Sequence, residues 1–229
     1  MSIMTTARPD ELAAALARIT GDEKHDASAH STLDVLWVLY DRVLRIDPTR
    51  PDAPDRDRFL LSKGHGPAAH YAVLATKGFF PLAWLDDVGS ATSRLGFHPD
   101  RRLVPGVEIG SGSLGHGLPL GVGQALGLRA QGIGARVVVL VGDAELDEGS
   151  NHEAIAFAGV TGLDSLTVVV VDNRSATYGW PGGVASRFTV NGWSASTVDG
   201  RDHGALETAL TEPHPGRPHV VVAVVEQKG

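Results

Sequence analysis

Arg136-Val-Val-Val-Leu-Val-Gly142-Asp143-Ala144-Glu145 and Leu166-Thr-Val-Val-Val-Val-Asp172-Asn173 share one pattern: a β-branched run, then a polar residue at its end. A third run, His219-Val-Val-Val-Ala-Val-Val-Glu226, lies near the C-terminus. Each run is continuous rather than alternating, which suits strands buried on both faces of a parallel sheet. Ala-rich Glu153–Gly159 separates the first two runs and reads as a helix. Leu118–Gln131 precedes the first run and reads the same way. Leu33–Leu44 has apolar residues at helical spacing, and Pro67–Gly78 opens on proline and closes on glycine. Helices alternating with buried strands predict an α/β fold, a doubly wound, mostly parallel sheet flanked by helices. Without a repeat or a low-complexity linker, residues 1–229 read as one domain. Asp47–Asp57, polar and with three prolines, reads as an ordered surface loop.

Composition narrows the function classes. Hydrophobic residues make up 42% and charged residues 21%, enough for a packed core. The formal net charge of −7 argues against a nucleic-acid partner, which needs a basic face. There is no cysteine, hence no disulfide, no thiolate nucleophile and no cysteine-held zinc or iron–sulfur site. No apolar run approaches the roughly 20 residues of a spanning helix, and the first residues lack a signal-peptide core. A cytoplasmic protein without a membrane partner is expected.

Ligands of doubly wound sheets bind beyond the carboxyl ends of the strands. Asp143 and Asn173 each follow a buried run, with one helix between them. Their side chains can meet there. A carboxylate and an amide oxygen form a hard oxygen set suited to Mg2+, which completes its octahedron with phosphate oxygens and water. Both residues equally suit ordinary loop or helix-cap positions after strands.

The wider sequence resembles the transketolase family. Gly142-Asp143-Ala144 through Asn173 resembles its thiamine diphosphate motif, Gly-Asp-Gly followed some two dozen residues later by Asn. Ser62-Lys63-Gly64-His65, Gly96-Phe97-His98-Pro99, Pro105-Gly106-Val107-Glu108 and Gly112-Ser113-Leu114-Gly115-His116-Gly117 resemble further transketolase segments. So do Glu145-Leu146-Asp147-Glu148-Gly149 and Asp199-Gly200-Arg201-Asp202. The resemblance covers roughly residues 10 to 228. It implies a thiamine diphosphate-binding fold. It also implies Mg2+, or another divalent cation such as Ca2+, held by Asp143, the Asn173 side chain and the Ser175 carbonyl. The backbone N–H of position 144 would touch the diphosphate. Here Ala144 replaces the family's glycine, which is tolerable if its φ is negative.

By the same resemblance, His65 would contact the cofactor near its diphosphate. His25 and His98 would hydrogen-bond donor-sugar hydroxyls or a developing oxyanion. Around His25 the family's Gly-His-Pro-Gly-Gly-like loop is replaced by Lys24-His25-Asp26-Ala27-Ser28-Ala29. Gly112, Ser113 and Leu114 would pack beside the aminopyrimidine ring, and also serve as an entry loop to the next helix. Glu148 would meet a glutamate from another polypeptide; a solvated carboxylate at a helix start is the plain alternative. A complete transketolase also needs a pyrimidine-binding domain, absent from this chain. The resemblance therefore implies a separate C-terminal transketolase subunit in an α2β2 assembly. Its reaction moves a two-carbon ketol unit from a ketose to an aldose, free or phosphorylated. Other readings are a 2-oxo acid dehydrogenase component, a deoxyxylulose-phosphate-synthase-like enzyme, or a non-catalytic scaffold subunit.

Overall fold

The three Val-rich runs become the inner strands of a five-stranded, all-parallel sheet in a computed structural model. The structure describes residues 9–19, 26–64, 66–176 and 178–227. The strands are β1 (Arg58–Leu61), β2 (Val137–Gly142), β3 (Leu166–Asp172), β4 (Ser194–Asp199) and β5 (His219–Val224), in the order β1-β2-β3-β5-β4. Every residue of β2 is buried, and β3 is buried up to Val171. The edges, β1 and β4, gave no strand signal in the sequence. The first has four residues, and Ser194-Ala-Ser-Thr-Val-Asp199 is largely polar with no fully buried position.

Side chains alternate faces along a strand, so each run feeds two cores. Val138, Leu140, Val169, Val171, Val221 and Ala223 pack under α1 (Pro9–Ala17), α2 (Asp26–Val38), α3 (Pro67–Thr76) and α7 (His203–Thr211). Val137, Val139, Val141, Val168, Val170, Val220 and Val222 pack under α4 (Gly117–Ala130), α5 (Gly149–Val160) and α6 (Val184–Thr189). The double burial inferred from the runs is met. A Cβ on Gly121 would fall 2.4 Å from Val139 Cγ2, so α4 lies at backbone distance from β2. The chain moves across the sheet through α5 and α6 on one face. It steps back from β4 to β5 through α7 on the other. Right-handed crossovers require that change of face when direction reverses. No helix among the described residues is long and apolar enough to cross a membrane.

Helix α2 begins at Asp26, seven residues before the expected Leu33, and continues into a π-helical turn at Leu39–Val43. Asp26-Ala27-Ser28-Ala29 contains neither Pro nor Gly, so nothing there stops a helix. The stretch after His25 is therefore the first turn of a helix rather than a glycine-rich loop. The Asp47–Asp57 loop is a surface feature except at its last residue. Asp57 is wholly buried, gripped by Arg45 and Arg136.

Helix α3 carries His70, which is 1% exposed and whose Nε2 shares a hydrogen bond of 2.8 Å with the Tyr40 hydroxyl. The rings of Tyr40, Phe59 and His70 lie 5.3–5.6 Å apart, joining α3, the end of the α2 segment and β1. Burial drives the His70 pKa down to about 3. The folded protein thus holds the ring neutral, whereas the unfolded chain protonates it below about pH 6.5. Stability is complete above that pH and falls with acidification through the window down to about 3. The expected slope is about 1.4 kcal/mol per pH unit. Urea unfolding at pH 6.5 and pH 5 should therefore show about 2 kcal/mol lost through this ring. The loss should be missing from the His70→Gln variant; an identical pH dependence in both proteins would remove His70 as the cause.

Candidate functional site

The site forms where β1, β2 and β3 end. Gly142 pairs with Val171, and Asp143 N–H donates to the Val171 carbonyl at 3.2 Å. The Asp143 carboxylate then reaches across to the turn after β3. Its Oδ2 accepts from Ser175 N at 2.6 Å and Ala176 N at 3.0 Å, and its Oδ1 from Ser175 Oγ at 2.7 Å. Residues 171–176 thus wrap around Asp143, with Asn173 between its two points of attachment. The two strand ends converge as the thirty-residue spacing requires.

Asp143 is 2% exposed and Asn173 is 3% exposed. Asn173 Oδ1 is buried with no hydrogen-bond partner in the protein. A buried amide oxygen without a partner is costly, and a bound cation would satisfy it. A carboxylate offers about four acceptor positions; three are taken on Asp143, which leaves one for a metal. Among the described residues no group of three or more His, Cys, Asp or Glu could hold a cation unaided. The oxygen set therefore fits a hard cation that completes its shell with phosphate oxygens and water. Arg174, beside Asn173, has φ of 57°, the single positive φ of a non-glycine residue among those described. Ala144, in a short 3-10 turn (Ala144–Asp147), thus lacks the positive φ that would exclude alanine.

The other residues of interest follow the same rim. His98 is exposed, and its ring lies 3.0 Å from where a Cβ on Gly112 would sit. Its Cε1 lies 3.9 Å from the equivalent position on Gly64. The loop before α4 and the loop after β1 thus meet at His98. Gly112 has φ of 117°, so any other residue there would be both strained and crowded against His98. Ser113 and Leu114 are exposed, Leu114 at 52%. Glu148 is exposed immediately before α5, caps no backbone N–H, and packs against Gly115. His25 and His65 lie outside the described residues.

Glu145, Ser62 and Lys63, all buried, gave no individual signal in the sequence. Glu145 Oε1 accepts from Ser62 Oγ at 2.5 Å and Gly115 N at 3.0 Å, and Oε2 from Gly142 N at 3.3 Å. Burial pushes its pKa up, against the pull of these donors and of the Lys63 charge. The Lys63 stem runs over Gly142, its carbons 3.5–3.6 Å from where a Cβ would be. Their one trace in the sequence is membership of the segments Ser62-Lys63-Gly64-His65 and Glu145-Leu146-Asp147-Glu148-Gly149 that resemble transketolases.

Residues 16–223 match the model for "Transketolase, thiamine diphosphate binding domain". A protein named "Ferredoxin fas2" from Rhodococcoides fascians is 54% identical over 220 residues, covering 96% of this chain and 72% of that one. One of the subunits of the apulose-4-phosphate transketolase of Actinobacillus succinogenes is 35% identical over 206 residues, covering 87% of this chain and 75% of that one. Transketolase from Leishmania mexicana superposes with a TM-score of 0.77 at 27% identity, over 90% of this chain. The chain spans 37% of that transketolase's length. This protein belongs to the transketolase family of thiamine diphosphate-dependent transferases, as a chain of the N-terminal, thiamine diphosphate-binding kind.

Proposed function

We propose that this chain is the diphosphate-binding subunit of a magnesium-dependent transketolase. In this reading its 229 residues act as one domain and pair with a separate pyrimidine-binding subunit, as α2β2, in the cytoplasm. The reaction is transfer of a two-carbon ketol unit from a ketose to an aldose. The observation that carries the reading is the unpartnered, buried Asn173 Oδ1, on the segment after β3 whose Val171 carbonyl and Ser175 bond to Asp143. The Actinobacillus relative is named as one subunit of a transketolase, which supports a two-chain enzyme. Unlike what the name of the Rhodococcoides relative denotes, this chain has no cysteine and so no thiolate for an iron–sulfur cluster.

Asp143, the Asn173 side chain and the Ser175 carbonyl would hold the cation, which neutralises the diphosphate. Ala144 N–H would donate to the diphosphate, with His65 nearby. Gly112, Ser113 and Leu114 would lie along the aminopyrimidine ring. When bound, thiamine diphosphate supplies the electron sink for carbon–carbon cleavage. His98 and His25 would orient donor hydroxyls and stabilise negative charge developing on the donor oxygen. Glu148 would face the partner's activating carboxylate.

Calorimetry of the chain assembled with its pyrimidine-binding partner tests the cofactor half of this reading. Thiamine diphosphate should bind with Mg2+ present and lose measurable affinity when the metal is chelated. Binding that ignores the chelator would refute the metal role. Mixed with its pyrimidine-binding partner, the protein should consume a ketose donor and leave pyruvate untouched. The reverse preference would assign it to 2-oxo acid chemistry.

A further inference from the structure

We infer that Glu145 is a positioning residue that sets the spacing between the cation-holding turn and the loop leading into α4. The inference rests on the cofactor site proposed above and extends it. The two parts of that site lie on different segments: Asp143 and Ala144 after β2, and Gly112–Leu114 before α4. A cofactor spanning them needs that distance held. Gly112, Ser113 and Leu114 are exposed, so little packing fixes the second segment.

One carboxylate ties them together. Glu145 Oε1 accepts from Gly115 N in the α4 entry loop and from Ser62 Oγ after β1. The same Ser62 Oγ accepts from Gly117 N at 2.9 Å, so the first turn of α4 is held by two successive bonds. Glu145 Oε2 accepts from Gly142 N, at the end of β2. The Glu145 backbone is itself fixed, since its carbonyl accepts from buried Asn151 Nδ2 at 2.6 Å. Close backbone approaches leave no slack. A Cβ on Gly115 would lie 2.6 Å from Glu148 Cβ, and one on Gly117 would lie 2.3 Å from Ser62 Cβ. Three segments distant in sequence thus depend on one buried acceptor. Glutamine has the right size but replaces one acceptor oxygen by an NH2 donor. It must therefore face Gly142 N–H, or the Ser62 and Gly115 donors, with a donor.

The test compares two probes on the chain assembled with its pyrimidine-binding partner in saturating Mg2+: thiamine diphosphate, which spans both loops, and inorganic diphosphate, which reaches only the cation-holding turn. In Glu145→Gln, thiamine diphosphate affinity should fall about tenfold or more, while inorganic diphosphate stays within about twofold of wild type. Ser62→Ala, which removes only one hydroxyl, should show the same selectivity with a several-fold fall. It decides the matter if Glu145→Gln does not fold. Equal affinities in wild type and variants would overturn the inference, as would a parallel loss of both probes, since that marks a general structural role. Wild-type protein that binds neither probe would instead bring down the underlying site assignment, and this inference with it.

Discussion

Asp143→Ala is expected to weaken magnesium-dependent thiamine diphosphate binding at least about 100-fold, or roughly 3 kcal/mol, while the protein stays folded. Asp143 is the one carboxylate proposed to touch the cation, whose remaining protein ligands are neutral oxygens. Removing it takes away the negative charge that holds a hard cation. The same carboxylate accepts from Ser175 N, Ser175 Oγ and Ala176 N, so the turn after β3 would loosen as well. Ser175 is exposed and Ala176 half-buried, which lets water replace these bonds. The stability cost should therefore stay near about 1–2 kcal/mol. Asp143→Asn separates the two effects, because it keeps an acceptor for the turn but removes the charge. Calorimetric titration with thiamine diphosphate and Mg2+ reads the affinity, and urea unfolding reads the fold. Unchanged affinity in both variants would end the metal assignment.

Asp57→Ala should produce the largest loss of stability and leave the cofactor site untouched. The Asp57 side chain is fully buried and accepts from the backbone N–H, Nε and Nη2 of both Arg45 and Arg136. Burial pushes its pKa up, but these donors more than compensate and hold it below the usual carboxylate range. Truncation leaves two guanidinium groups and two backbone donors without their acceptor. Breaking a buried pair costs about 3–5 kcal/mol. The Arg45 side chain is 59% exposed and can rehydrate, so the lower end, about 3 kcal/mol, is expected. For a chain of this size that is a fall of roughly 10 °C in melting temperature. Asp57 precedes β1, and Arg136 precedes β2 and pairs there, at the opposite end of the strands from Asp143. Thiamine diphosphate affinity should accordingly match wild type at a temperature where both are folded. A loss under about 1 kcal/mol would mean that the arginines and water replace the pair at little cost.

Much of the architecture was already legible in the chain. Runs such as Val137–Val141 and Val168–Val171 record burial on both faces at every position, and a polar residue placed directly after such a run can only lie at a strand end. Asp143 and Asn173 were singled out as candidates that way, though the spacing alone equally suited loop or cap positions, and the structure brings their segments together. Edge strands were not legible: Ser194–Asp199 has one buried-capable face and a composition that equally suits a loop. Nor was the work of Asp57, His70 and Glu145. Nothing in their immediate neighbours shows that Glu145 will meet Ser62, 83 residues away, or that Arg136 will meet Asp57, 79 residues away. Periodicity along a chain reports what each residue's own surroundings must be, apolar or wet. Which buried polar groups become partners depends on strand order and register, and these exist only once β1, β2 and β3 lie side by side.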